Sequence, residues 1–153
     1  MRRTTTSTST VSGRRKVLVD TSGWYAVASA DDRRHEIACA HYLSLVAEGA
    51  RLLTSDYILD ETITRLRYDF GYHVAVAFCE QVERAAEQGF LNVVWVDERV
   101  WRAALALFRK YDDQEFSFTD CTSFVLTQEL RPDEAFAFDS HFTLFGAPVA
   151  PGS

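Results

Sequence analysis

Residues 16–23, Lys-Val-Leu-Val-Asp-Thr-Ser-Gly, decide the fold. Val17–Val19 is an apolar run without alternation, as in a strand buried on both faces of a parallel sheet. The run stops at Asp20, and a helical pattern opens over Ser22–Ala30. Three other short runs have the same character: Leu52–Thr54, Asn92–Val96 and Ala135–Phe138, with a fifth near Ala147–Val149. Helical periodicity fills the gaps. Asp31–Glu48 repeats apolar residues at Ala38, Tyr42 and Leu45, then stops at Gly49 in the place of a C′ glycine. Asp56–Phe70 aligns Leu59, Ile63, Leu66 and Phe70; Tyr72–Gln88 aligns Val74, Phe78, Val82 and Ala85. Asp97 is placed to cap Glu98–Tyr111, and Thr119–Leu130 is the last long helix. Strands alternating with helices predict an α/β fold, a parallel sheet with helices on both faces.

At 153 residues the chain is the size of one domain. With 47% hydrophobic and 25% charged residues it is neither collagen, coiled coil nor disordered as a whole. It contains no run of about 18 apolar residues, so no membrane span is expected. Cys39, Cys79 and Cys121 are odd in number, far apart and without CxxC spacing. Reduced thiols in a cytoplasmic protein fit that pattern better than disulfides or a zinc site.

The charge is uneven. Arg2, Arg3, Arg14, Arg15 and Lys16 crowd the first sixteen residues, whereas residues 17–153 carry 11 basic and 22 acidic side chains. So negative a body binds nucleic acid poorly unless cations or a local arginine patch offset the repulsion. Residues 1–15, basic and Ser/Thr-rich, are expected to form a disordered tail before a single domain over 16–150. The tail shares the Arg/Ser bias of a mitochondrial transit peptide but has almost no apolar face.

Open α/β sheets bind ligands at the carboxyl ends of their strands, where strand order reverses. Asp20 leaves the first strand and Asp139 the fourth. Were those strands neighbours, about 4.8 Å apart, the two carboxylates would converge. Asp120 opens the helix leading into the fourth strand, and Glu61 lies a turn inside the helix after the second. Each acid has a commonplace alternative. Asp20 can cap a helix, Asp120 can form a capping box with Ser117, Glu61 can pair with Arg65, and Asp139 can close an Asx-turn. Four carboxylates at one edge repel one another, however, and such clusters persist mainly where cations neutralise them. The hydroxyls of Thr21, Ser22, Thr119 and Ser123 lie close in sequence, and His141 is the nearest nitrogen ligand. An oxygen-only donor set favours Mg²⁺, with Mn²⁺ the alternative, over zinc. Acidic two-metal sites cut or transfer phosphodiesters.

Four segments carry a family likeness: VLVDTSGWYAV (17–27), ILDETITRLR (58–67), FSFTDCTSFVL (116–126) and AFAFDSHF (135–142). Together they resemble the PIN-domain ribonucleases, in particular the VapC-type toxins of toxin–antitoxin pairs, over about residues 16–149. The resemblance implies a three-layer α/β/α PIN-like fold with a central parallel sheet of four to five strands, order 3-2-1-4-5. It implies that Asp20, Glu61, Asp120 and Asp139 are the catalytic acids. Asp20 and Asp120 would bind the principal Mg²⁺, and Glu61 and Asp139 a second metal or its waters. Thr21, Ser22 and Thr119 match auxiliary hydroxyls. It further implies an RNA substrate, a cognate antitoxin protein that could push an arginine into the acidic pocket, and a homodimer. The basic tail departs from the compact toxins.

The expected chemistry is metal-assisted hydrolysis of an RNA phosphodiester, with Arg33, Arg34, Arg65 and Arg67 as candidate backbone contacts. His35, His41 and His73 read as surface residues, and Trp24, Tyr25 and Tyr72 as aromatics that are either exposed or packed. A housekeeping PIN nuclease without antitoxin, and a PIN-like domain that binds RNA or protein without cutting, are the alternatives. An aspartyl-phosphate phosphatase would need a second Asp where Ser22 stands.

Overall fold

The structure is a computed structural model and describes residues 13–152. Residues 1–12, and with them most of the expected tail, lie outside the described residues. Strands β1 (Lys16–Val19), β2 (Arg51–Ser55), β3 (Leu91–Val94), β4 (Glu134–Ala137) and β5 (Val149–Pro151) form one sheet of order β3-β2-β1-β4-β5. Every pairing is parallel, with Leu18 opposite Leu53 on one side and Ala135 on the other. β1 is therefore central, and strand order reverses between β1 and β4. Right-handed crossovers then send the connections of the two halves to opposite faces of the sheet.

The helices are α1 (Thr21–Ala28), α2 (His35–Glu48), α3 (Asp56–Phe70), α4 (Tyr72–Glu87), α5 (Glu98–Lys110) and α6 (Phe118–Leu130). Ser140–Phe145 forms a 3₁₀ helix that the apolar pattern did not reveal. Two helices begin or end short of expectation. The stretch 29–34 is a loop, so α2 starts at His35, and α1 stops at Ala28. β3 also ends two residues early, at Val94, because the Val96 amide donates to Asp56 Oδ1 (2.8 Å) outside the ladder. Gly49 ends α2 in the left-handed conformation (φ 75°), as expected of a C′ glycine.

The core is built on Val17–Val19, Leu52, Ala135–Ala137 and Phe124, all essentially without exposure. Trp24 belongs to it. Its indole Nε1 donates to Thr54 Oγ1 (3.0 Å), which donates to the Val19 carbonyl (3.1 Å), so the ring's one polar atom is satisfied inside. Gly23 is required by close approach: a Cβ there would stand 2.5 Å from the Phe136 carbonyl oxygen. α1 thereby lies directly over β4, which fixes the start of the helix beside the strand carrying Asp139.

Two histidines read as surface residues are partly buried. His41 Nε2 lies 2.7 Å from Glu134 Oε2, its ring packed on Phe136, and His35 Nδ1 lies 2.8 Å from the Ala26 carbonyl. His73 is exposed. Arg15 joins Glu134 from the other side (2.9 Å) and also reaches Glu48, while its carbonyl accepts from the Arg51 amide. Among the described residues no helix is long and apolar enough to cross a membrane.

Candidate active site

The four acids come to the carboxyl edge of the sheet by four local devices. Asp20 follows β1, its amide donating to the Phe136 carbonyl (3.1 Å), and serves as N-cap of α1. Asp139 stands two residues past β4 and caps the 3₁₀ helix. Asp120 is the third residue of α6, in a capping box with Ser117. Glu61 lies in the second turn of α3, four residues after Tyr57. The helix-capping readings of Asp20 and Asp120 therefore hold, and a cap uses one carboxylate oxygen and leaves the other free.

Hydrogen bonds show which oxygen is engaged. Asp20 Oδ2 accepts from Ser22 Oγ (3.0 Å) and Ser22 N (3.4 Å). Ser22 Oγ in turn accepts from the Phe138 amide (3.0 Å), so one hydroxyl bridges the exits of β1 and β4. Asp120 Oδ2 accepts from Ser117 N (2.9 Å). Asp139 Oδ1 accepts from the His141 amide (2.9 Å) and lies 2.6 Å from His141 Nδ1. His141 also packs edge-on against Phe116. Each aspartate thus has one oxygen tied and one available.

The carboxylates act on one another electrostatically. Burial pushes Asp20 up to about 7, with the charge of Asp120 adding to the rise and Ser22 opposing it. Glu61 is raised by its burial and then by Asp120, against the Thr119 hydroxyl and Arg65. Asp120 is raised by burial, with Asp139 contributing and the Ser117 bonds opposing. Asp120 is thus the hub that couples to Asp20, Glu61 and Asp139. The side chains do not close into a cage: among the described residues no group of three or more His, Cys, Asp or Glu is close enough to hold a metal as it stands.

The hydroxyls divide. Thr21 Oγ1 and Ser123 Oγ are buried without a hydrogen-bond partner, polar atoms left over beside Asp20 and one turn after Asp120. Ser22 is committed to the β1–β4 bridge, and Thr119 acts on Glu61. Arg65 forms no ion pair with Glu61 within 4 Å. Its guanidinium lies over the Tyr25 ring (4.4 Å), as Arg34 lies over Phe138 (4.7 Å) and Arg67 over Tyr72 (5.3 Å). The Asp139–His141 contact is the feature that spacing alone did not disclose, although His141 stood out as the nearest nitrogen.

The PIN domain family matches residues 17–146, a span that takes in all four acids. The chain is 32% identical over 129 residues to a VapC ribonuclease of Archaeoglobus fulgidus, covering 83% of this chain and 79% of the relative. It is 32% identical over 137 residues to the 23S rRNA-specific endonuclease VapC20 of Mycobacterium tuberculosis, covering 85% and 94%. The crystal structure of that VapC20, described as a sarcin-ricin loop cleaving toxin, superposes with a TM-score of 0.74 at 31% identity, covering 86% of this chain and 95% of that one. FitAcB from Neisseria gonorrhoeae shares the fold, with a TM-score of 0.62 at 17% identity over 87% of this chain and 95% of that one. In sequence and strand order the chain belongs to the PIN domain family.

Proposed function

We propose that this protein is a ribonuclease that hydrolyses RNA phosphodiester bonds with a divalent cation, Mg²⁺ or Mn²⁺, and is the toxic member of a toxin–antitoxin pair. The observation that carries this reading is Asp20. It is a carboxylate only 5% exposed, at the strand-order switch point, raised to about 7 by burial and by Asp120. Its hydrogen-bond partners are the hydroxyl and amide of Ser22, with no basic side chain among them. A cation is what ionises such a group at neutral pH.

The donor set fits a hard ion. Asp20 and Asp120 would hold it directly, Glu61 and Asp139 would hold a second ion or its waters, and the unpartnered hydroxyls of Thr21 and Ser123 offer further oxygens. When bound, the ion supplies Lewis-acid polarisation of water and phosphoryl oxygen. The side chains position: Ser22 locks the Asp20 carboxylate to β4, Ser117 aims Asp120, and Asp139 orients the His141 ring.

The 23S rRNA specificity of the VapC20 relative makes large ribosomal RNA the first substrate to try. A cognate antitoxin would dock in the apolar groove of about 580 Å³ between α1, α2 and α4, lined by Trp24, Tyr42, Leu43, Phe78 and Val82. A homodimer is part of the same proposal. The test is to sequence the 5′ ends of RNA fragments made by the purified protein with and without chelator. Defined cleavage sites that vanish with chelator and in Asp20→Asn are expected. Cleavage by Asp20→Asn equal to wild type would remove the reading.

A further inference from the structure

We infer that His141 reads the sugar: its Nε2 bonds the 2′-hydroxyl of the nucleotide at the scissile phosphate, so that the site cuts RNA in preference to DNA. The inference deepens the ribonuclease reading and rests on it.

The reaction leaves this role open. In hydrolysis by water, the water oxygen bonds to phosphorus, one sugar oxygen leaves it, and a proton of the water ends on the leaving oxygen. The 2′-hydroxyl neither attacks nor leaves. A site made only of carboxylates and the cations they hold therefore acts on a DNA phosphodiester as readily as on an RNA one. Preference for RNA has to come from a group that touches the 2′-oxygen.

The surroundings of Asp139 supply such a group. Asp139 Oδ1 accepts from the His141 amide (2.9 Å) and holds the ring at Nδ1 (2.6 Å). A carboxylate only accepts, so Nδ1 carries the proton and Nε2 is the free nitrogen. Phe116 meets the ring edge-on at 5.0 Å and is itself buried against Phe124 and Phe145. The imidazole is thus fixed on two sides. Its side chain nevertheless keeps 42% exposure, and Nε2 has no hydrogen-bond partner among the described residues. A ring tied at one nitrogen and bare at the other is a preorganised hydrogen-bonding tip.

The tip stands beside the acids. His141 lies in the 3₁₀ helix that Asp139 caps, and it is close enough to Asp120 for their charges to interact. The hydroxyls nearby are occupied or enclosed: Ser22 bridges β1 and β4, Thr119 acts on Glu61, and Thr21 Oγ1 and Ser123 Oγ are buried. A phosphate oxygen is the competing partner for Nε2, but it only accepts and needs a proton there. The 2′-hydroxyl both donates and accepts, so it pairs with Nε2 in either protonation state of the ring.

The test uses the full chain and a short single-stranded RNA spanning a mapped cleavage site, with versions carrying a single 2′-deoxy nucleotide at each position in turn. Wild type should lose about tenfold in kcat/KM when the deoxy nucleotide sits at the scissile phosphate, and little elsewhere. His141→Phe keeps a ring against Phe116 and the backbone amide on Asp139. It should cut the RNA about tenfold less efficiently and that deoxy version as well as wild type does, so the preference falls to about one. Equal losses on both substrates would mean that His141 serves the fold, the carboxylates or a phosphate, and would overturn the inference. Binding is the second readout, by anisotropy with Ca²⁺ supplied to offset the carboxylates. Wild type should hold a short RNA several-fold tighter than the DNA of the same sequence, and His141→Phe should hold the two alike. A binding preference that His141→Phe abolishes, without any cleavage by wild type, refutes the nuclease and leaves the ribose contact. Chelator-sensitive cleavage by wild type with no 2′ preference refutes the ribose contact and leaves the nuclease.

Discussion

Asp20 shows how one residue is pulled in two directions. Its unfolded carboxyl ionises near 3.8, while in the fold burial and Asp120 lift it to about 7. The folded state therefore binds the proton more tightly, and stability falls as pH rises from about 4 through 7. Asp20→Asn removes the charge and keeps an oxygen for Ser22. Without added metal it should gain roughly 2–4 kcal/mol over wild type at pH 8 and little at pH 4. Paired thermal melts at the two pH values check this, and a gain independent of pH would contradict it. The same variant should have no RNA cleavage, the residue-scale signature of a site kept at the expense of stability. Gly23 makes the complementary case. Gly23→Ala would drive a methyl into the Phe136 carbonyl, and since that contact is backbone, α1 or β4 must shift. A loss on the order of 1–3 kcal/mol is expected in urea unfolding. In the sequence Gly23 marked only the start of a helix; the need for it lies in a strand 113 positions away.

Elements were the most legible level, because periodicity is local. β1, α3 and α6 lie within a residue of their expected bounds, and the carboxyl-edge placement of Asp20, Asp120 and Asp139 follows from those bounds. What periodicity missed is equally specific. The 3₁₀ helix Ser140–Phe145 is too short to show a period, and α2 starts at His35 because the Arg34 amide donates to Asp32 Oδ1 (2.7 Å) in a preceding turn. The capping box of α6 tests how element and site interlock. Ser117→Ala removes the hydroxyl that accepts from the Asp120 amide, costing about 1 kcal/mol of stability. It leaves the Ser117 amide still donating to the Asp120 carboxylate but removes the side chain that helps hold the carboxylate charge and fixes the start of the helix beneath it. Cleavage should drop about tenfold while Ser117→Thr, which keeps the hydroxyl, stays near wild type. Denaturation and initial-rate measurements on both variants check it. Equal rates in all three would mean that the box serves the helix alone.

At the scale of the whole molecule the two edges of the sheet carry opposite assignments. The carboxyl edge gathers acids that strain the fold. The amino edge is cross-braced: Glu134, 6% exposed, accepts from Arg15 and lies against His41, while Lys16 Nζ donates to the Leu130 carbonyl (2.6 Å) and the Lys16 amide to Asp133. None of this bracing was readable from spacing. His41 and Glu134 are 93 positions apart, and their meeting depends on where α2 crosses β4. Glu134→Ala strips the charged hydrogen bonds from Arg15 and His41 and should cost about 2–3 kcal/mol in urea unfolding. Because β4 separates Glu134 from Asp139 by five residues, about 16 Å, the bracing and the acidic pocket share no contact. The effects of Asp20→Asn and Glu134→Ala should therefore add to within about 0.5 kcal/mol at pH 8, with the double variant near wild-type stability. Glu134→Ala alone should keep wild-type kcat at temperatures well below its midpoint. A coupling well above that margin, or loss of kcat in the folded Glu134→Ala protein, would mean that β4 transmits strain between the edges and that they do not act independently.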